Sequence, residues 1–525
     1  MAINNLVKRL QNIMRQDAGV NGDAQRIEQM VWIFFLKVYD AQEEIWECLD
    51  SEEPFRSIIP KELRWRNWAH SKDDEGRLIK DALTGDELLS FINGKLFPVL
   101  KGQKSFDETI PGIRISADTP RGKAIVQEVF LEVNQYMKNG TLLRQMIDVV
   151  DEIDFNDTSE THTFGDIYES LLKDLQGAGR AGEFYTPRAL TDFIIQMLNP
   201  KIGEKIGDFA MGTGGFLVSA LEYLRPQLKT AADSKAFQNA VLGQEWKPFP
   251  YLLAVTNLLL HGIEHPDLHH TDSLGKPMSA YHDKSQKVDV IAMNPPYGGS
   301  TEASVKQNFK TEFRSSETAD LFMVLIMERL AKHGRAGVIV PDGFLFGTDG
   351  TKLAIKQHLL RNFNLHTIIR LPGSIFAPYT SIATNILFFD NDTAEDAPEG
   401  YATKDVWFYR MDMPDGYKHF SKTKPMLLAH AEPIREWWHN RHEMTDTDNN
   451  NEKSRCFSVA EIIQSDCDFD RCKFPKDEEE ILPPKELLEN YYAKRRHLEQ
   501  QIDKTLAEIQ RILGIDLDVH EMQDI

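Results

Sequence analysis

Asn294-Pro295-Pro296-Tyr297 is the stretch of this chain best equipped for chemistry. It directly follows Val288-Asp289-Val290-Ile291-Ala292-Met293, an apolar run that reads as a buried strand. Two prolines cannot continue a parallel strand, because their φ is fixed and they lack the amide donor. The chain must turn sharply there, at the carboxyl end of the strand, where open α/β sheets bind ligands. The turn offers an amide side chain, a backbone carbonyl free of strand pairing and an aromatic ring. These suit a planar substrate bearing an –NH2 group: two acceptors hold the amino hydrogens and the ring stacks on the π-face. Such acceptors localise a delocalised amino lone pair toward an electrophilic methyl. No strong base is needed, since the proton can leave after attack.

A second constellation lies upstream. Strand Ile206–Ala210 ends in Asp208-Phe209-Ala210-Met211-Gly212-Thr213-Gly214-Gly215-Phe216, whose glycines permit a tight turn and close backbone approach at a strand–helix junction. A glycine-rich turn alone is weak, and dinucleotide binding competes with other cofactors. No Walker lysine supports a nucleotide-phosphate loop, since Gly275-Lys276-Pro277 lacks the following Ser or Thr. The next strand ends in Gly243-Gln244-Glu245, and an acid there can hold ribose hydroxyls. Asp272, followed by Ser273 and Leu274, closes a third element and could accept from an adenine amino group. Before all of these, Glu183-Phe184-Tyr185-Thr186 offers a hydroxyl and rings for a cofactor's amino-acid end. Each piece has a plainer reading: Asp208 as a helix cap, Glu245 as a solvated strand end, His269-His270 as surface. Their order and spacing carry the argument.

The elements that must position these residues alternate. Strands are expected at Ile206–Ala210, Val241–Glu245, Val288–Met293, Gly337–Val340, Thr367–Leu371 and Ala383–Phe389. Helices are expected between them, among them Leu252–Leu260, Leu321–Ala331 and Leu353–Phe363. That predicts an α/β fold with a parallel, doubly wound sheet, with an antiparallel strand possible at its edge. Residues 298–318, with Lys306, Lys310 and Arg314, lack apolar periodicity and read as a mobile loop beside the site.

The flanks differ. Residues 1–155 read as a helical domain: Leu6, Leu10, Ile13 and Met14 recur at helical spacing, as do Ile27, Met30, Val31, Phe34 and Phe35. Within it Arg64-Trp65-Arg66-Asn67-Trp68 could suit nucleic acid, but helix packing is the favoured reading. The catalytic domain is expected over 156–445 and a polar linker over 446–480. Asp446, Asp448 and Asn450 imitate a calcium loop, yet Asn451 and Phe457 stand where its glycine and glutamate belong. Over 481–525, Leu487, Leu488, Tyr491, Leu498, Ile502, Leu506, Ile509 and Leu513 predict a long amphipathic helix, either self-packed or docking a partner.

Composition is that of a soluble globular chain, 41% hydrophobic and 27% charged over 525 residues, enough for two or three domains. No signal peptide is visible, and Met30–Leu36 is too short to span a bilayer. Cys48, Cys456, Cys467 and Cys472 read as reduced cytosolic thiols with no metal site, so the chain is expected in the cytoplasm. Net charge is −21, from 60 basic and 81 acidic residues, which is unusual for a protein gripping nucleic acid alone. A DNA substrate would call for a local basic groove or, in the favoured reading, a partner.

The ordered motifs resemble the N6-adenine DNA methyltransferases of the gamma arrangement. More closely, the chain is similar to the methylation (HsdM) subunits of type I restriction–modification systems. The likeness is carried by Gly182–Arg188, Gly212–Leu217, Asn294–Gly299 and Leu371–Phe376 followed by Thr384–Phe389. It implies a Rossmann-like S-adenosylmethionine-dependent domain with a helical N-terminal domain and helical tail, transferring a methyl to adenine N6 in double-stranded DNA. By motif matching, Asp208, Gly212 and Gly214 lie near the methionine portion, Glu245 near the ribose and Asp272 near the cofactor adenine. Glu183, Phe184, Tyr185, Thr186, Met211, Thr213, Gly215, Phe216, Ser273, Leu274 and Asn294 complete the expected cofactor set. Asn294 and the Pro295 carbonyl would hold the target amino group, with Pro296 shaping the turn and Tyr297 stacking on the base. Phe376 or Tyr379 could close the other face. Base flipping follows: unstacking costs a few kcal/mol, and stacking on aromatics returns roughly 1–3 kcal/mol per base. The resemblance also implies a separate specificity subunit, with two methylation subunits for each, and a motor-nuclease subunit for restriction. Competing readings are a self-sufficient adenine methyltransferase with recognition built into 390–480, a glutamine methyltransferase acting on protein, and a non-catalytic scaffold.

Overall fold

The structure is a computed structural model that describes residues 3–48, 57–73, 75–103, 121–153, 185–297, 299, 301–347, 350–377, 380–446, 451–475 and 484–513. It divides into two compact units, Met1–Phe474 and Pro475–Ile525.

The first unit is organised by a ten-stranded sheet in the order β3-β2-β1-β4-β5-β7-β6-β8-β10-β9. Five strands come first in the chain: β1 Ile206–Asp208, β2 Val241–Glu245, β3 Leu268–His270, β4 Val288–Met293 and β5 Leu330–Pro341. They pair in parallel. β4 is buried at every position but Asp289, as a parallel strand covered on both faces must be. Helices Gly215–Leu224 and Pro248–Leu260 connect β1 to β2 and β2 to β3. Ten of the thirteen residues of the latter helix are buried. Their partners are strands β2 and β3 on one side and the N-terminal helices Asp23–Cys48 and Arg121–Phe130 on the other. Tyr251 on this helix donates to Glu128 at 2.7 Å.

The remaining strands are β6 Asn364–Arg370, β7 Thr384–Asp390, β8 Asp405–Arg410, β9 Met444–Asp446 and β10 Asn451–Ser458. Here the structure departs from the sequence reading in four places. The antiparallel strand β7 is not at the edge: it lies between β5 and β6, antiparallel to both. β6 and β7 are joined by residues 371–383 and pair antiparallel along their length, forming a hairpin. Leu330 and Ala331, expected in a helix, begin β5. β8 and β10 extend the sheet where a linker or recognition region was expected. The aromatic residues of that stretch serve the core: Tyr409 and Trp407 pack on Trp437 at 4.7 and 6.0 Å, and Trp438 packs on Phe388 at 4.9 Å. Finally, the loop after Tyr297 is anchored, with Phe309 and Phe313 buried.

In the N-terminal region Trp65 and Trp68 are buried, and Arg66 pairs with Asp40 and Glu47 at 3.1 and 2.8 Å. The packing reading of that segment holds. Cys467 and Cys472 are buried free thiols of the core. The second unit contains helix Pro484–Leu513, on which Leu488, Tyr491, Leu498, Ile502 and Leu506 are exposed.

Gly243 of β2 shows how tightly the sheet meets the glycine turn. A Cβ there would lie 2.3 Å from Met211 Sδ, 2.6 Å from Leu268 Cδ2 and 2.9 Å from Leu217 Cδ1. Gly243→Ala is expected to destabilise the protein by about 1–3 kcal/mol through overpacking. Denaturant unfolding of the two proteins checks this, and equal midpoints would contradict it.

Candidate active site

Strand order reverses between β1 and β4, so their connections leave toward opposite sides and open a crevice at the carboxyl edge. A cavity of about 600 Å³ lies there. Asp208 enters it from the end of β1, Glu245 from β2, Asp272 from just beyond β3 and Asn294 from β4.

The glycine turn forms one wall. Gly212 and Gly214 have φ of +54° and +80°, backbone that favours glycine. The turn is braced: Gly214 N donates to Met211 O at 2.8 Å and Met211 N to Gln244 O at 3.1 Å. Asn257 Nδ2 donates to Thr213 O at 3.1 Å. Met211, Gly212, Thr213, Gly215 and Phe216 line the cavity. Gly214 does not; it caps the following helix, and a Cβ there would sit 3.1 Å from Leu258 Cδ1.

Glu245 is not a solvated strand end. It is buried, and its two oxygens accept from Gly212 N at 3.0 Å and Lys247 N at 2.8 Å. Burial raises its pKa against those hydrogen bonds. Asp208 is fully buried and accepts from Ala210 N at 3.1 Å. Burial, with some repulsion from Glu245, pushes its carboxyl up to about 8. Its neighbour Phe209 lies 4.1 Å from the buried Arg329 guanidinium, which also faces Tyr281 at 4.7 Å. Burial brings that guanidinium down to about 10.

Past β3, Asp272 Oδ1 accepts from Leu274 N at 2.9 Å. Ser273 is buried and donates to Phe209 O at 2.6 Å, with Gln244 Oε1 at 3.1 Å. Asp272, Ser273 and Leu274 all line the cavity.

The fourth strand end closes the other side. Pro295, Pro296 and Tyr297 line the cavity beside Asn294. Asn294 Nδ2 donates to Thr186 Oγ1 at 3.1 Å, and the Tyr297 hydroxyl donates to Asn294 Oδ1. Tyr185 and Thr186 are therefore part of the same site, whereas Glu183 and Phe184 lie outside the described residues. Of the two candidates for a second ring, Phe376 lines the cavity and Tyr379 lies outside the described residues.

The sequence reading missed several lining residues. Trp246, 66% exposed, follows Glu245 at the rim. A large apolar residue directly after a strand-end acid was the signal available for it. Thr318, Phe322 and Ile382 also line the cavity. They come from a helix start and a loop that had no motif to mark them. Among the described residues no cluster suited to a metal ion is present. The arrangement can hold an elongated ligand across three strand ends, beside two desolvated acids whose ionised forms a cationic ligand would favour, and present a planar amine to the fourth.

The comparisons agree on the family. Residues 159–480 match N-6 DNA Methylase, and residues 3–150 match the HsdM N-terminal domain. The chain is 44% identical to the Type I restriction enzyme EcoEI methylase subunit of Escherichia coli, over 98% of this chain and 99% of that protein. It is similar to the crystal structure of a modification subunit of a putative type I restriction enzyme from Vibrio vulnificus YJ016: TM-score 0.72, 38% identity, 88% of this chain and 92% of that one. A structure describing complex assembly and conformational transition of the type I R-M system matches at TM-score 0.74 and 32% identity, over 97% and 98% of the two chains.

The raised carboxyl of Asp208 has a measurable consequence. Its folded pKa of about 8 lies above the ordinary 3.8, so the folded protein holds a proton that the unfolded chain releases. That contribution to stability is full below the ordinary value and is lost as pH rises toward 8. Asp208→Asn, lacking the titration, is expected to gain thermal stability relative to the unaltered protein as pH rises from 5, with a constant gap above about pH 8. Melting curves without ligand test this; parallel pH profiles would place the Asp208 carboxyl at its ordinary value.

Proposed function

The chain belongs to the N-6 DNA methylase family, among the methylase subunits of type I restriction enzymes, and from that footing we propose that it transfers a methyl group from S-adenosylmethionine to N6 of a flipped adenine in double-stranded DNA. The observation that carries the reading is the convergence of Asn294, its neighbouring Pro295 carbonyl and Tyr297 on one cavity with the glycine turn and three strand-end acids.

S-adenosylmethionine fits this donor set. A ligand with cationic groups would favour ionisation of the two desolvated acids Asp208 and Glu245, and glycines leave the backbone of the turn open to close approach. Tyr185, Thr186, Asp208 and the turn Met211–Phe216 would hold its methionine end, Glu245 its ribose, and Asp272, Ser273 and Leu274 its adenine. When bound it supplies an electrophilic methyl on a sulfonium. The work of the chain is then positioning. Asn294 Oδ1 and the Pro295 carbonyl accept the two amino hydrogens and turn the nitrogen lone pair toward that methyl. Pro296 fixes the turn, Tyr297 stacks on the base and Phe376 closes its other side. Glu183 and Phe184 complete the proposed set by motif.

An adenine reaches such a cavity only by leaving the helix, at a cost of a few kcal/mol. Stacking on aromatic side chains returns roughly 1–3 kcal/mol. With a net charge of −21 the chain is poorly suited to supply the remainder through phosphate contacts alone. We assign that grip and the choice of site to a specificity subunit serving two methylase subunits, joined by a restriction subunit in the full complex. Residues 1–155 form the helical N-terminal domain in this assignment. The catalytic domain runs from 156 through the last sheet strand, and the exposed apolar residues of Pro484–Leu513 dock the partner. No helix among the described residues is long and apolar enough to cross a membrane; the proposed DNA substrate places its action in the cytoplasm.

The test is transfer of labelled methyl to unmethylated DNA by the chain alone and with its specificity subunit. Label is expected on adenine N6 only with the partner, and Asn294→Ala should lower the rate by about a hundredfold or more, the scale of losing one directed polar contact at a reacting centre. Sequence-specific label from the chain alone would favour a self-sufficient enzyme. Label on protein instead of DNA would move the substrate to a glutamine amide.

A further inference from the structure

An asparagine amide can face a substrate with either end. Its terminal torsion is broad and roughly two-fold, and its two ends are opposite in character: the nitrogen carries two donors, the oxygen only accepts. An amino group needs acceptors, so only the rotamer with Oδ1 toward it is productive. Something must choose that rotamer before the base arrives.

We propose that Thr186 is the positioning residue for Asn294, fixing which end of the carboxamide meets the target amine. The proposal rests on the reading that Asn294 holds that amine. Thr186 Oγ1 accepts from Asn294 Nδ2 at 3.1 Å, taking the donor end of the amide. The Tyr297 hydroxyl donates to Oδ1. A phenol and a threonine thus agree on which end is oxygen, and Tyr297 keeps that oxygen satisfied until a substrate amine replaces it.

Thr186 is itself well placed to impose orientation. Its branched Cβ restricts its rotamers. Pro187 follows it and begins the approach to helix Arg188–Leu198. Arg188 Nη1 then donates to Gly215 O at 2.9 Å and approaches Ser219 Oγ at 3.3 Å. The chain two residues past the threonine is thus tied to the glycine turn, while the threonine itself touches the methyl-accepting side. The contact joins residues 108 positions apart and adds a side-chain link to the β1–β4 pairing that already aligns the two halves of the site.

The experiment uses the full chain assembled with its specificity subunit. Single-turnover methylation is measured at saturating S-adenosylmethionine and DNA, and S-adenosylmethionine affinity is measured separately by calorimetry. Thr186→Val keeps the shape and removes the hydroxyl. It should slow methyl transfer at saturating cofactor about tenfold, the worth of one hydrogen bond, over and above any weakening of the cofactor affinity that Thr186 also serves. Thr186→Ser should restore the rate. In an Asn294→Ala background, Thr186→Val should cost nothing further. An unchanged rate in Thr186→Val, a loss that disappears at saturating cofactor, or a serine no better than valine would each overturn the proposal. Full activity in Asn294→Ala would instead overturn the reading of Asn294 beneath it.

Discussion

Parallel strands all end at one edge, and that constraint organises everything else in this protein. Because β1, β2, β3 and β4 run the same way, four separate connections begin within one small region. The reversal of order between β1 and β4 keeps helices from filling the space in front of them. What remains is a crevice whose walls are loop residues rather than core. The loops are then pulled together by polar contacts between strand ends. Gly212 N donates to Glu245, Met211 N to Gln244 O, and Ser273 Oγ to Phe209 O. The first two link the connections of neighbouring strands, and the third reaches from beyond β3 across to the end of β1.

These contacts have an energetic cost that points to the ligand. Burying Asp208 and Glu245 raises both carboxyls, and no amount of backbone hydrogen bonding fully offsets the lost hydration. A sequence selected only for stability would fill such positions with apolar residues. Two desolvated acids beside a glycine turn instead give a site whose electrostatics improve when a cation enters. That is the charge carried by the proposed methyl donor.

The scaffold outside the crevice has a second task. Helix Pro248–Leu260 starts immediately after Glu245-Trp246-Lys247 and is covered on both sides, by the sheet and by the N-terminal helices. The segment that would hold the cofactor's ribose is thereby continuous with the packing of the N-terminal region. At the other end of the sheet, β8, β9 and β10 continue the hydrogen-bonded ladder, the last two through residues that look polar and irregular in sequence. Their aromatics pack on Trp437 and the core.

Much of this was legible from residue order. Gly212–Gly215, Glu245, Asp272 and Asn294–Tyr297 announce themselves because each needs a particular backbone or functional group at a strand end, and β4 reads as buried because nearly every residue is apolar. The sequence by itself also determined the long amphipathic C-terminal helix and the helical N-terminal region, since periodicity is local. Tertiary structure decided the rest. It placed β7 between β5 and β6 and recruited 451–458 to the sheet, because strand partners are chosen by distant backbone ladders rather than by neighbours in sequence. It brought Trp246, Thr318 and Ile382 to the cavity, and it joined Thr186 to Asn294. A local pattern records what a segment can do, whereas a hydrogen bond between residues 108 positions apart exists only once the sheet has closed the distance.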